Sequence, residues 1–441
     1  MTESACPSGG AAIPWSFMAI ASQSVEQICR AAKAAAGELA VLPTDTKNLA
    51  LRAIADALVE QSAAILAANQ GDLDDGRLAG LTDALIDRLT LTPERIASIA
   101  DQARDVAALP DPVGEVIEGG RLANGIELRR ELVPFGVVGV VYEARPNVTI
   151  DAVALCLKAG NACVLRGSSS AARTNAVLAQ IASDAASAAG IPAGAIGLVA
   201  GGGREELAEL ATQDGLVDLI FPRGGAGLKA ALQGVATVPV IYAAAGLCHV
   251  YVDAAADLAA AARIIVNAKT QRPGVCNAAE TLLVHADVAD EFLPDVLAEL
   301  DGLGVELRVD DRARAAAPVE LAPRLVDATA EDWDTEYLAL ILSVRVVDSL
   351  EAAMAHIAAH GSGHSESIIT TDTQAARAFT RRVDAACVYV NASTRFTDGA
   401  EFGKGSEIGI STQKLHARGP IGLRELCTSK YVAWGDGHVR G

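Results

Sequence analysis

A repeated alternation between residues 137 and 242 constrains this chain most. Short apolar, largely β-branched runs (Val137–Tyr142, Ala162–Arg166, Ile196–Ala200, Leu216–Phe221, Val238–Tyr242) are separated by stretches of helical period (Ile150–Ala159, Ser170–Ala189, Arg204–Thr212, Gly227–Gly234). Apolar runs without polar alternation suit strands buried on both faces, and strand–helix repetition joins such strands in parallel. The spacing predicts a doubly wound α/β sheet, whose carboxyl edge is the usual place for a nucleotide. Apolar residues make up 51% and aromatics 4%, so the cores must be built of Ala, Val, Leu and Ile, a mix suited to helices on a sheet.

The flanking chain extends the pattern. From Ser24 to about Ala68 apolar residues recur at helical spacing, and Pro43 divides two helices. Thr92-Pro93-Glu94 opens another, which runs to Leu109. Alternation at Ile126, Leu128 and Leu132 predicts a β-hairpin or extended arm. After Val252 a second α/β unit follows, with helices near 257–270, 287–300, 349–359 and 372–383 and strands near 281–284, 338–347, 366–370 and 386–391. The glycine-rich stretch Gly399–Gly409 leads to an extended tail at Lys430–Trp434.

Length and charge exclude several function classes. The 441 residues allow two or three domains. A formal charge of −19 argues against nucleic acid or an anionic membrane as partner, and means that an anionic substrate needs a local cationic pocket. No apolar run reaches the ~20 residues that span a bilayer. The eight cysteines are scattered without a CxxC pair, which reads as free thiols in a reducing compartment, the cytoplasm. Residues 1–17, with Gly9-Gly10, Pro7 and Pro14, are expected to be a disordered extension without the form of a signal peptide.

Candidate chemistry gathers at turns. Cys276 follows Pro273-Gly274 between a helix and a strand, a place that exposes a nucleophilic thiol; the other reading is a small buried hydrophobe. Arg166-Gly167-Ser168 opens a helix after a strand, as either an anion site or an ordinary serine-capped turn. Pro222-Arg223-Gly224-Gly225 and Gly201-Gly202-Gly203 end two further strands, where ligands of open sheets bind. Asn147, after Arg145-Pro146, can donate its amide to an oxyanion or simply make a turn. Arg395 and Arg418 can each meet an anionic substrate, although surface arginine is the default. His356, His360 and His364 lack an acidic partner in the pattern of a zinc helix and are read as ordinary histidines, so no metal is expected.

Three stretches carry a resemblance: Val140–Thr149, Gln271–Asn277, and Val390–Gly399 continuing through Gly409–Pro420. They resemble the aldehyde dehydrogenase superfamily, and within it the reductases that act on γ-glutamyl phosphate, over about residues 24–434. The resemblance implies Cys276 as nucleophile, Asn147 as oxyanion donor, Arg166 and Ser168 at the ribose and 2′-phosphate of NADPH, and Glu336 at the nicotinamide ribose. Gly167, Pro222, Arg223, Gly224 and Gly225 join the expected cofactor set, and Arg145, Arg395 and Arg418 the expected substrate set. The fold so implied has an NADPH domain (18–117 and 137–245), a catalytic domain (246–410), and an oligomerisation arm and tail (118–136 and 411–441).

The implied reaction is NADPH-dependent reduction of L-glutamyl 5-phosphate to the 5-semialdehyde, the second step of proline synthesis from glutamate. It implies a homo-oligomer and an upstream glutamate 5-kinase as possible partner. Hydrolytic relatives carry a water-activating glutamate upstream of the cysteine. Here the corresponding stretch is Tyr242-Ala-Ala-Ala-Gly246, and no Asp or Glu occurs between Leu219 and Val252. A CoA-acylating aldehyde dehydrogenase and a non-catalytic dinucleotide-binding scaffold are the alternatives.

Overall fold

The computed structural model describes residues 23–201 and 203–440, so the expected extension at 1–17 lies outside the described residues. Five helices come first: α1 (Val25–Leu39), α2 (Thr44–Glu60), α3 (Ser62–Leu78), α4 (Asp83–Leu89) and α5 (Pro93–Ala108). Their starts follow local chemistry. Ser24 closes a capping box with Gln27, and Thr92 caps α5 ahead of a proline at its first position. The region read as two helices is three, because α2 ends and α3 begins at Gln61.

An arm follows: β1 (Val116–Arg121) and β2 (Glu127–Pro134) pair as an antiparallel hairpin. Then comes the predicted alternation: β3 (Val137–Tyr142), α6 (Asn147–Lys158), β4 (Ala162–Arg166), α7 (Ala172–Ala188), β5 (Ile196–Leu198), α8 (Arg204–Ala211), β6 (Leu219–Arg223) and α9 (Ala226–Gln233). These strands form a parallel sheet in the order β5-β4-β3-β6. The chain winds outward from β3 to β5 and then crosses back to β6. The switch between β3 and β6 opens a crevice at their carboxyl ends. β3 and β4 are buried along their whole length, as their uninterrupted apolar sequences require.

Two expected strands differ. Leu216–Phe221 shifts to Leu219–Arg223, because Val217 N–H turns back to the Gln213 carbonyl. Val238–Tyr242 makes only a bridge from Val240 to Ile220. Pro239 lacks an N–H for a ladder, and the Tyr242 N–H goes instead to the Gln413 side chain at 2.6 Å.

The second unit comprises β7 (Cys248–Val252), α10 (Leu258–Thr270), β8 (Ala279–His285), α11 (Ala286–Gly302), β9 (Glu306–Val309), α12 (Asp311–Ala316), β10 (Val326–Asp327), β11 (Ile341–Val347), α13 (Leu350–His360), β12 (Ser365–Ile369), α14 (Thr373–Arg382) and β13 (Cys387–Val390). Its strands form a parallel sheet in the order β10-β9-β11-β8-β7-β12-β13. Polar and short, β9, β10 and α12 escaped the sequence pattern.

The chain closes with β14 (Ile410–Ser411), β15 (Gly419–Pro420) and β16 (Cys427–Trp434). β16 pairs antiparallel with β2, so the predicted tail completes the arm. Tyr431 and Trp434 remain exposed on it. Among the described residues no helix is long and apolar enough to cross a membrane.

Candidate active site

Cys276 lies in the loop from α10 to β8 and is partly exposed, whereas the other free cysteines among the described residues are buried. The loop is clamped from two sides. Asn277, buried beside it, donates through Nδ2 to the Thr397 carbonyl at 2.9 Å, and the Thr394 hydroxyl donates to the Asn277 carbonyl at 2.7 Å. On the other side Gly246 presses its backbone on the cysteine; a Cβ there would run into the Cys276 carbonyl, so only glycine fits. The Cys248 thiol donates to the same carbonyl at 3.2 Å.

The Gly246 N–H donates to Glu336 Oε1 at 2.7 Å, which brings a carboxylate to the Cys276 segment from 60 residues further along the chain. Glu407 is a second acid that bears on the thiol. Burial first, then these two carboxylates, push the Cys276 thiol up to about 11, against the pull of Arg223. The surroundings therefore favour the neutral thiol, and position and shielding dominate. Iodoacetamide should alkylate Cys276 about tenfold faster for each pH unit between 7 and 10, because thiolate is a small fraction throughout that range. A plateau by pH 9 would show an ordinary thiol instead.

Arginines bear on the same point. Burial and the nearby Arg223, Arg88 and Arg272 lower the pKa of Arg145, and burial and Arg272 lower that of Arg395; both also feel Cys276. Arg395 Nε is held by Gln271 Oε1 at 2.8 Å. Arg272 and Arg88 were not expected, although Arg272 stands only four residues before Cys276. Arg418 is engaged elsewhere, pairing with Asp384 at 2.9 Å beside β13.

Asn147 occupies the first turn of α6 rather than a strand end, and donates through Nδ2 to Asp151 Oδ2 at 3.0 Å. The ionised carboxylate can only accept there, so it holds the amide with its N–H groups on that face. Burial pushes Asp151 up to about 6, moderated by this hydrogen bond and by Arg223.

Glu336 apart, the expected cofactor residues line the carboxyl edge of the four-stranded sheet. Arg166 ends β4, is 8% exposed, and donates to the Gly203 carbonyl at 2.5 Å. Ser168 accepts from Ser170 N–H at 3.2 Å, as in an ordinary serine-capped turn. Gly167 packs against Asn175 too closely for a Cβ. Pro222 and Arg223 end β6, and the Gly225 N–H donates to Glu143 Oε2 at 3.1 Å. A carboxylate thus already sits on one N–H donor where an anion was expected. A Cβ at Gly225 would meet nothing within 4 Å, so the turn is open on that side. Arg223 also reaches past its turn, because its Nη1 would lie 2.7 Å from a Cβ at Gly409.

The three histidines take separate polar partners, although the His356 and His360 rings lie 4.6 Å apart. His356 meets Arg345 at 3.0 Å, His360 meets Asp334 at 2.8 Å, and His364 meets Ser365 at 2.8 Å. Burial pushes His356 down to about 3 and His364 to about 4.

A model described as the aldehyde dehydrogenase family matches residues 2–322 and 323–432. The γ-glutamyl phosphate reductase of Thermobifida fusca (strain YX) is 54% identical over 418 residues, covering 95% of this chain and 99% of its own length. That of Moorella thermoacetica is 56% identical over 409 residues, covering 93% and 97%. A crystal structure of the γ-glutamyl phosphate reductase of Thermotoga maritima superimposes with a TM-score of 0.92 at 43% identity, covering 95% of this chain and 100% of that one. An acetylating aldehyde dehydrogenase from Geobacillus thermoglucosidasius shares the fold, with a TM-score of 0.66 at 21% identity over 95% of this chain and 97% of that one.

Proposed function

This chain belongs to the aldehyde dehydrogenase family, and from that premise we propose that it reduces L-glutamyl 5-phosphate to the 5-semialdehyde with release of phosphate. The observation that carries the proposal is the partly exposed Cys276 thiol among arginines 145, 223, 272 and 395, in a protein of net charge −19. Such a pocket suits an acyl group that bears a phosphate.

The sulfur attacks the acyl carbon, and the tetrahedral oxyanion is met by Asn147, whose amide Asp151 orients. The carbon–oxygen bond to phosphate then breaks, leaving a thioester, while the cations favour the departing anion. Because the thiol is pushed up to about 11, its proton needs an acceptor, and Glu336 and Glu407 are the two acids that bear on it.

A nicotinamide dinucleotide supplies the hydride that takes the thioester to the aldehyde. The residues present fit such a cofactor: the turn is open at Gly225, whose N–H now goes to Glu143, and Arg166 lies at the same carboxyl edge of the sheet, one strand beyond β3. Arg166, Gly167, Ser168, Pro222 and Arg223 would hold it, with Glu336 at the nicotinamide ribose. We assign NADPH as the working form. Arg166→Ala should weaken NADPH about 10- to 150-fold more than NADH, the equivalent of one charge-assisted hydrogen bond of roughly 1.5–3 kcal/mol. Equal weakening of both cofactors would remove Arg166 from the 2′-phosphate.

The proposal also covers the domain limits (cofactor unit 18–117 and 137–245, catalytic unit 246–410, arm 118–136 with 411–441), a homo-oligomer built through the arm, a cytoplasmic setting and a glutamate 5-kinase upstream. Oxidation of NADPH with freshly made glutamyl phosphate, compared with acyl-CoA, tests the function. Turnover with acyl-CoA alone would replace it with the acylating reading.

A further inference from the structure

Lys269, in the last turn of α10, and Glu280, in β8, form an ion pair of 2.7 Å with both side chains wholly buried. Lys269 also donates to the Ala279 carbonyl at 2.9 Å. The chain between them is the loop that carries Cys276, so the pair closes both ends of that loop. The other Glu280 oxygen, Oε1, accepts the Leu338 N–H at 3.2 Å. Leu338 has φ +53°, one of two non-glycine residues in the left-handed region among those described. A leucine holds that conformation only where its surroundings fix it, and here a buried carboxylate does so. Two residues earlier, Glu336 receives the Gly246 N–H and bears on the Cys276 thiol. Buried ion pairs are a poor source of stability, so a wholly buried one at this junction calls for another role.

We propose that Lys269 and Glu280 are positioning residues for Glu336: the pair pins the strained turn at Leu338 and so fixes the Glu336 carboxylate between the thiol loop and the cofactor. This rests on the cofactor contact proposed above for Glu336. A glutamine at 280 has one oxygen. Protonated Lys269 would claim it and turn the amide N–H₂ toward the Leu338 N–H, donor against donor. Without Lys269 the same oxygen is released to Leu338.

The test is NADPH affinity by fluorescence on the full chain, together with kcat and KM. Glu280→Gln should weaken NADPH about tenfold, leave KM for the acyl phosphate within about twofold, and add less than about twofold in a Glu336→Ala background. Lys269→Met/Glu280→Gln should recover NADPH affinity, while Lys269→Met/Glu280→Leu should not. These last two carry the comparison if Glu280→Gln alone fails to fold, since both lack the charges and differ at the acceptor. A tenfold loss in both backgrounds, or equal affinity in the two double variants, overturns the proposal. No effect of Glu336→Ala on NADPH removes the Glu336 contact and this inference with it, while acyl-phosphate reduction by the unaltered chain is judged separately.

Discussion

Cys276→Ser is expected to lose at least about 10³-fold in kcat while binding NADPH within about twofold of the unaltered chain. The cysteine is partly exposed in a loop fixed by Asn277, Thr394 and Gly246, so a hydroxyl fits in its place without moving the frame. What fails is the chemistry. Even the thiol is pushed up to about 11 here, and a serine hydroxyl in the same surroundings ionises far less readily. A serine needs a strong adjacent base, and the carboxylates of Glu336 and Glu407 are weak ones. Serine at Cys156, Cys163 or Cys387, each buried, should change stability and not turnover, because burying a hydroxyl costs up to about 1–3 kcal/mol where its partners do not match it. Stopped-flow NADPH oxidation and a thermal melt on each variant separate the two effects. Near-normal turnover by Cys276→Ser would end the nucleophile assignment.

In the reverse direction, oxidation of the semialdehyde should depend on inorganic phosphate, with turnover falling about 10²- to 10⁴-fold in a desalted, phosphate-free assay. That range is the usual contribution of a positioned general base, which the stretch 242–246 lacks. Phosphate oxygen attacks the thioester carbon, the carbon–sulfur bond breaks, and the thiol is restored. The arginines around Cys276 would hold the attacking anion. Arsenate should substitute. The structure sharpens the counter-outcome, because Glu336 and Glu407 stand near the thiol though neither belongs to that stretch. Sustained formation of free glutamate without phosphate would mean that one of them activates water. Glu336→Gln and Glu407→Gln would then tell which, and the acyl-phosphate reading would lose its chemical basis.

Local periodicity by itself determined the parallel sheets, since strands such as Val137–Tyr142 and Ala162–Arg166 are apolar throughout and only burial on both faces accommodates them. It also determined the turn that presents Cys276, because Pro273 and Gly274 cannot continue a helix, and the hairpin of the arm, because alternation of period two reads directly as a strand. Nearest-neighbour pattern says nothing, however, about which distant groups meet. Only the tertiary structure brought Glu336 to Gly246, and Arg145, Arg223 and Arg395 to bear on the Cys276 thiol. It likewise withheld Arg418 for Asp384 and Val238–Tyr242 from the ladder. Burial raises the thiol, and desolvation is a property of everything packed around a group, which the residues beside it in the chain do not specify.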